Sequence, residues 1–293
     1  MLTSEDRDVL GMAAETKKVR RPSAVSQILR AISDDLVHGA AEWDVEGDGD
    51  GPAYRMLVAS DQKSRRRAYA LAHRVYQGRG YVHDEKGLIV SPPDANPQTL
   101  TLLAQDDNGL DAATITLVFD SKDGLPCDEI YGDELNGLRA QGRRLVEVTR
   151  LAIGEAHQRS KPLLVRLFNF IYVFARRIKG FDDFVIEVNP RHVNYYRRLL
   201  IFEQAGPQRP CPRVQGAPAV LLRLDLAIPD REVRRVGGKG VSANERTLYP
   251  HFYSWLEEGA VAEFLARSHK PMSEEDARYF GLAKPIPFNP VAG

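Results

Sequence analysis

Between Leu145 and Gly206 the chain alternates strand, helix, strand, helix, and this run restricts the fold more than any other part of the sequence. Arg144 to Ile153 alternates its apolar positions and is rich in β-branched residues, the pattern of a central strand. Ser160 is a good N-cap, Pro162 falls in the first helical turn, and Leu163 to Ile178 is apolar on almost every side. A helix without a polar face has to be buried. Phe184–Val188 forms the next strand, and Asn189-Pro190 opens a helix through Leu200 with the Asn side chain as its cap. The two strands joined by the buried helix should lie parallel with a right-handed crossover. The turn after the first strand, Gly154-Glu155-Ala156-His157-Gln158-Arg159-Ser160, contains a single glycine. It lacks the glycine-rich run whose backbone N–H groups cradle a phosphate.

Upstream, Arg55–Ala59 reads as a short strand, followed by a basic amphipathic helix over 63–78. Thr99–Gln105 and Ala112–Phe119 are strands joined through Asn108-Gly109, a strong hairpin signal. Asp128–Gly142 is a helix ending at its glycine, and Ala219–Leu226 is a final strand. The class is therefore α/β with a mixed sheet. Three regions follow: an N-terminal extension over 1–51, with a helix over 23–38 and a glycine- and aspartate-rich linker; a core over 52–228; and a helical C-terminal extension over 229–293, where Leu248–Ala266 carries many aromatics.

Glu147 is the first chemical candidate. A carboxylate in an otherwise apolar strand costs free energy unless it is paired or used, and burial would raise its pKa toward that of a general base. An ordinary ion pair between Glu147 and Arg150 on a sheet face is the alternative reading.

The segment Asn189 to Leu199, an Asn followed seven residues later by Tyr196, resembles the strand-to-helix segment of GNAT acyltransferases. His73-Arg74-Val75-Tyr76, Gly80-Tyr81, the strands over 99–117 and Glu147-Val148-Thr149-Arg150 extend the resemblance to LuxI-type autoinducer synthases, and still more to long-chain N-acyl amino acid synthases. It covers roughly 54–226. The resemblance implies a three-layer GNAT fold, a mixed, mostly antiparallel sheet flanked by helices. It also implies transfer of a fatty acyl group from acyl carrier protein to the amine of an amino acid. The donor would be the acyl-phosphopantetheine of the carrier, with no resident cofactor, since the 154–160 turn is ill suited to the pyrophosphate of coenzyme A. Glu147 would be the base, and Tyr196 the acid at sulfur. Asn189 would end the strand that splays to admit the pantetheine arm, and N–H groups near Leu151 and Ile153 would face the oxyanion. Arg74 and Arg150 are the candidate partners of an acceptor carboxylate. Phe168, Phe170, Ile171 and Phe174 would line an acyl tunnel, and Arg176, Arg177, Arg197 and Arg198 would meet the acidic carrier. Two departures stand out. Leu200-Ile201-Phe202 replaces the usual Gly-Phe, and the Thr114–Leu117 strand lacks the arginine that autoinducer synthases use for S-adenosylmethionine. Acyl-homoserine-lactone synthesis, acyl-CoA-dependent N-acetylation and a carrier-binding module without turnover are the alternatives.

Forty Lys and Arg balance forty Asp and Glu, which argues against a sequence-independent nucleic-acid binder. Cys127 and Cys211 are too few for a disulfide framework and have no metal-ligand spacing, so a reducing cytoplasm and no metal are expected. Met1–Asp8 lacks a secretory pattern, and no apolar run has the length of a membrane span. The C-terminal aromatic helix is a candidate for tunnel cover, self-association or peripheral membrane contact.

Overall fold

A computed structural model describes residues 42–45, 53–83, 85–240 and 245–282. The helix expected over 23–38 and the linker over 46–52 lie outside the described residues. The described strands are β1 (Glu42–Val45), β2 (Tyr54–Val58), β3 (Leu100–Asp106), β4 (Asp111–Phe119), β5 (Leu145–Ile153), β6 (Asp183–Val188), β7 (Glu203–Gln204), β8 (Arg209–Cys211) and β9 (Ala217–Asp225). They form a nine-stranded sheet in the order β1-β2-β3-β4-β5-β6-β9-β7, with β8 beside β9. All neighbours are antiparallel except β5 and β6, the parallel pair that the buried helix between them requires.

Helices α1 (Gln62–Gln77) and α2 (Asp128–Arg139) cover one face of the sheet. Ala68 and Leu71 of α1 pack on Leu103, and Tyr131 and Leu135 of α2 pack with Val118, Leu145 and Val185. Strand alternation sends Phe119, Val146 and Phe184 to the opposite face, which α3 (Lys161–Tyr172) covers. Ser160 caps α3 and Pro162 lies in its first turn, as the sequence requires. The last turn, Val173–Ile178, widens into a π-helix, with the Lys179 N–H reaching the Phe174 carbonyl at 3.0 Å.

The Asn189 helix is broken in two. Asn189 Oδ1 accepts the Arg191 N–H, a 3₁₀ turn spans Pro190–His192, and α4 runs from Val193 to Leu199. At the Leu-Ile-Phe departure Ile201 has φ of 64°, the left-handed region that a β-branched residue adopts only under strain.

Further along are α5 (Ala227–Val236), α6 (Glu257–Ser268) and α7 (Glu274–Tyr279). The helix expected over Leu248–Ala266 is a 3₁₀ turn at Tyr249–His251 and then α6. These elements enter the main core: Tyr249, Phe252, Phe264 and Leu265 are buried in it, as are Trp43 and Val45 of β1. Residues that the sequence reading set in both extensions therefore complete the hydrophobic layer beneath α3. Among the described residues no helix is long and apolar enough to cross a membrane.

Gly206 marks the tightest contact of the α2 face. An added Cβ would lie 2.8 Å from Cδ1 of Tyr131, whose hydroxyl is held by the Pro207 and Ala219 carbonyls. Gly206→Ala should therefore cost about 1–3 kcal/mol by overpacking, read as a lower midpoint in urea at unchanged slope.

Candidate active site

β5 and β6 pair only over Leu145–Glu147 and Asp183–Val185. Beyond Glu147 they part, and Val148 to Ile153 run on without β6 as a neighbour, leaving backbone N–H groups along that edge with no strand partner. Glu147 is the last residue of β5 before the gap.

Its carboxylate lies on the α1–α2 face and is 2% exposed. Oε2 accepts the Cys127 N–H at 2.8 Å. Burial pushes its pKa from 4.5 up to about 7, and the neighbouring Glu187 carboxylate adds to the rise; Cys127 and Arg213 oppose it. The ion pair with Arg150 that the sequence also allowed is absent. Arg150 is instead clamped by Asp94: Nη1 lies 2.6 Å from Oδ2, and Nη2 bonds Oδ1. Asp94 is fully buried and also accepts the Ser91 N–H, while the Arg150 guanidinium lies 5.5 Å from the Tyr69 ring. Arg150 itself has φ of 51°, and the β4–β5 register shifts between Thr114 and Thr116. The buried ion pair thus fixes a β-bulge at the mouth of the gap, and the bulge aims the following N–H groups of β5. Both terminal nitrogens of Arg150 are thus bonded to Asp94, while its Nε has no hydrogen-bond partner. Arg74 is exposed on α1.

On the α3 side, a cavity of about 360 Å³ opens beside the 154–160 turn. Ile153, Leu164, Leu199 and Leu248 give it apolar wall, and Arg159, Lys161 and Arg246 give it positive rim, with His251 beside Lys161. Lys161 Nζ and His251 Nε2 are 2.8 Å apart. Glu245 is the acidic wall residue, and it is tied to Arg235. The turn offers little backbone. Pro162 has no N–H, and the Leu163 N–H points to Ser160 Oγ at 3.4 Å. Seven of the fifteen lining residues, Gly240 through His251, come from the C-terminal extension.

The remaining expected residues fall into three groups. Tyr196 is buried, with its ring edge-on to Phe168 and Phe202. Burial holds its hydroxyl above the ordinary tyrosine range, with the Tyr195 hydroxyl adding to the rise. Its neighbour Tyr195, not Tyr196, lines the cavity. Phe168, Phe170, Ile171 and Phe174 are packed in the core and do not line it; Trp43, Tyr253 and Phe264 crowd Phe170, and Phe119 and His269 crowd Phe174. Arg176 is engaged by Asp182, and Arg177 by Glu258 and the Trp255 ring, whereas Arg197 and Arg198 are exposed. Among the described residues no group of three or more His, Cys, Asp or Glu side chains suits a metal.

The residues that sequence reading missed are Asp94, Cys127, Glu187, Arg213 and the cavity's C-terminal wall. Each is far in sequence from the group it serves and carries no local motif.

The family model described as FeeM, N-acyl amino acid synthase, matches residues 67–225, more than half of the chain. The structure of FeeM, an N-acyl amino acid synthase from uncultured soil microbes, is similar at 24% identity and TM-score 0.54, over 61% of this chain and 94% of that one. The AHL synthase LasI follows at 18% and 0.47 (60% and 91%), and the COA-dependent acyl-homoserine lactone synthase BjaI at 14% and 0.46 (60% and 87%). No curated protein matches the sequence. A nine-stranded mixed sheet parted beside its central strand, with this match across the strands and helices that build the gap, places the chain in the FeeM family of N-acyl amino acid synthases, acyltransferases on the GNAT fold.

Proposed function

We propose that the protein joins a long-chain fatty acyl group, delivered as a thioester on the phosphopantetheine arm of acyl carrier protein, to the amine of an amino acid. The observation that carries this reading is Glu147: a buried carboxylate with a pKa near 7, set where the two central strands part. A general base is most effective with its pKa near the working pH. The acceptor ammonium loses a proton to Glu147, directly or through one water. Its nitrogen attacks the thioester carbonyl, and the oxyanion forms against the N–H groups of β5 beyond the bulge. As the C–S bond breaks, Tyr196 protonates the leaving sulfur, and the second proton shed by the nitrogen restores the Tyr196 phenol while Glu147 gives up the first. The products are the amide and the free carrier thiol, and one proton passes to solvent.

The cavity beside the 154–160 turn suits the donor arm. Its positive groups are side chains, not a backbone cradle, which favours the single phosphate of a protein-borne arm over a nucleotide pyrophosphate. Because the carrier is acidic, Arg159, Lys161, Arg246 and the exposed Arg197-Arg198 should also speed its approach.

Donor competition with the purified full chain tests this assignment. Lys161→Ala/Arg246→Ala should raise KM for the acyl carrier about tenfold at low salt with little change in kcat, and the difference should shrink as ionic strength rises. Equal turnover of free acyl-CoA and acyl carrier, or a KM that ignores both lysine and arginine, would contradict it.

A further inference from the structure

Glu147 does not sit alone on its face of the sheet. Its partner in register on β6 is Val185, and Glu187 lies two residues further along the same strand, on the same face, beside the start of the gap. Arg213, in the turn that follows β8, bonds Glu187 with Nη2 and bonds both Glu129 and the Pro126 carbonyl with Nη1, the latter at 2.6 Å. Pro126 immediately precedes Cys127, whose N–H holds Glu147. One guanidinium therefore joins the strand on one side of the base to the loop on the other. Glu187 Oε1 is buried and has no hydrogen-bond partner.

The groups facing Glu147 come from several elements. Glu187 on β6, Cys127 just before α2 and Arg213 beyond β8 act on Glu147 itself; Asp128 neighbours Cys127, while Glu129, Tyr131 and Cys211 neighbour Glu187. Arg213 is the cation of this set; the others are neutral or acidic. Two carboxylates close together cannot both ionise freely, and a cation between them and the loop sets how readily they do.

We propose that Arg213 and Glu187 are positioning residues for the base: Arg213 holds Glu147 in place through the 126–129 loop, and with Glu187 it sets the pH at which Glu147 works. The inference rests on Glu147 acting as the base. Its signature is a pair of opposite changes. Glu187→Gln removes a like charge and should move the rising limb of kcat/KM against pH down by about one pH unit. Arg213→Gln removes the cation and should move the limb up by about as much, and the double variant should return toward the parent. Arg213→Lys, which keeps the charge, should restore the limb while leaving the rate lower, since one ammonium cannot reach both the strand and the loop as the guanidinium does.

The experiment is the pH dependence of kcat/KM for these variants of the full chain, with acyl carrier protein as donor. Opposite movements of the limb in Glu187→Gln and Arg213→Gln support the proposal. Movement in the same direction, or none, overturns it while Glu147→Gln remains inactive. Should Arg213→Gln not fold, Glu187→Gln decides, because a limb that stays in place contradicts the pairing by itself. Full activity in Glu147→Gln would instead sink the assignment of the base.

Discussion

Glu147→Gln should abolish most acyl transfer and leave the fold intact. General-base catalysis contributes about 10²–10⁴ in rate, so kcat/KM should fall by that factor while the donor's KM changes little. In the parent enzyme the rate should rise with pH through about 7, because the carboxylate must be ionised to accept the proton. The effect on stability has the opposite sense. The folded state holds the Glu147 proton more tightly than the unfolded chain does, so raising the pH from the ordinary 4.5 to about 7 withdraws stability. Glu258, buried under Asn169 and Arg177 and also pushed up to about 7, contributes the same trend. Glu147→Gln removes one of these two costs. The variant should therefore melt no lower than the parent at pH 8, and a calorimetric scan of both at pH 5 and pH 8 checks this. A variant that is inactive because it has unfolded would contradict the account.

Asp94→Ala should be the most damaging single change to stability. It leaves the Arg150 guanidinium buried and unpaired, with its Nε already lacking a partner, inside a bulge whose backbone is in the left-handed region. Removing one member of a buried pair costs about 3–5 kcal/mol. In a chain of this size that is a fall in Tm on the order of 10 °C. Replacing both members, as in Asp94→Leu/Arg150→Met, should recover much of the loss, since an apolar pair avoids the unpaired charge. Activity should stay low in the double variant, because nothing then fixes the bulge that aims the β5 N–H groups. Stability and activity thus separate, and thermal melts beside initial rates measure both.

Much of the fold was legible because it is local. The β-branched alternation of 145–153, the buried helix behind Ser160 and Pro162 and the Asn108-Gly109 turn all carry their own chemistry and lie where expected. Glu147 was legible for the same reason, as a carboxylate out of place in an apolar strand. Long-range pairings were not. Asp94 meets Arg150 across 56 positions, and the 126–129 loop and Arg213 meet across more than 80. Nothing near either residue announces its partner. Phe170 and Phe174 looked available for a tunnel because β1 and the C-terminal extension, which bury them, were assigned elsewhere. The identity of the tyrosine at the cavity turned on helix phase. A 3₁₀ turn at Pro190–His192 precedes α4, and Tyr195 then lines the cavity while Tyr196 faces Phe168.

The most direct test of the central claim is product identification. The purified chain is incubated with a long-chain acyl carrier protein and a mixture of amino acids, and the extract and the carrier are both analysed by mass spectrometry. The expected products are an N-acyl amino acid and free carrier thiol in equal amounts, both lost in Glu147→Gln. Carrier thiol released together with free fatty acid and no amide would contradict the proposed transfer.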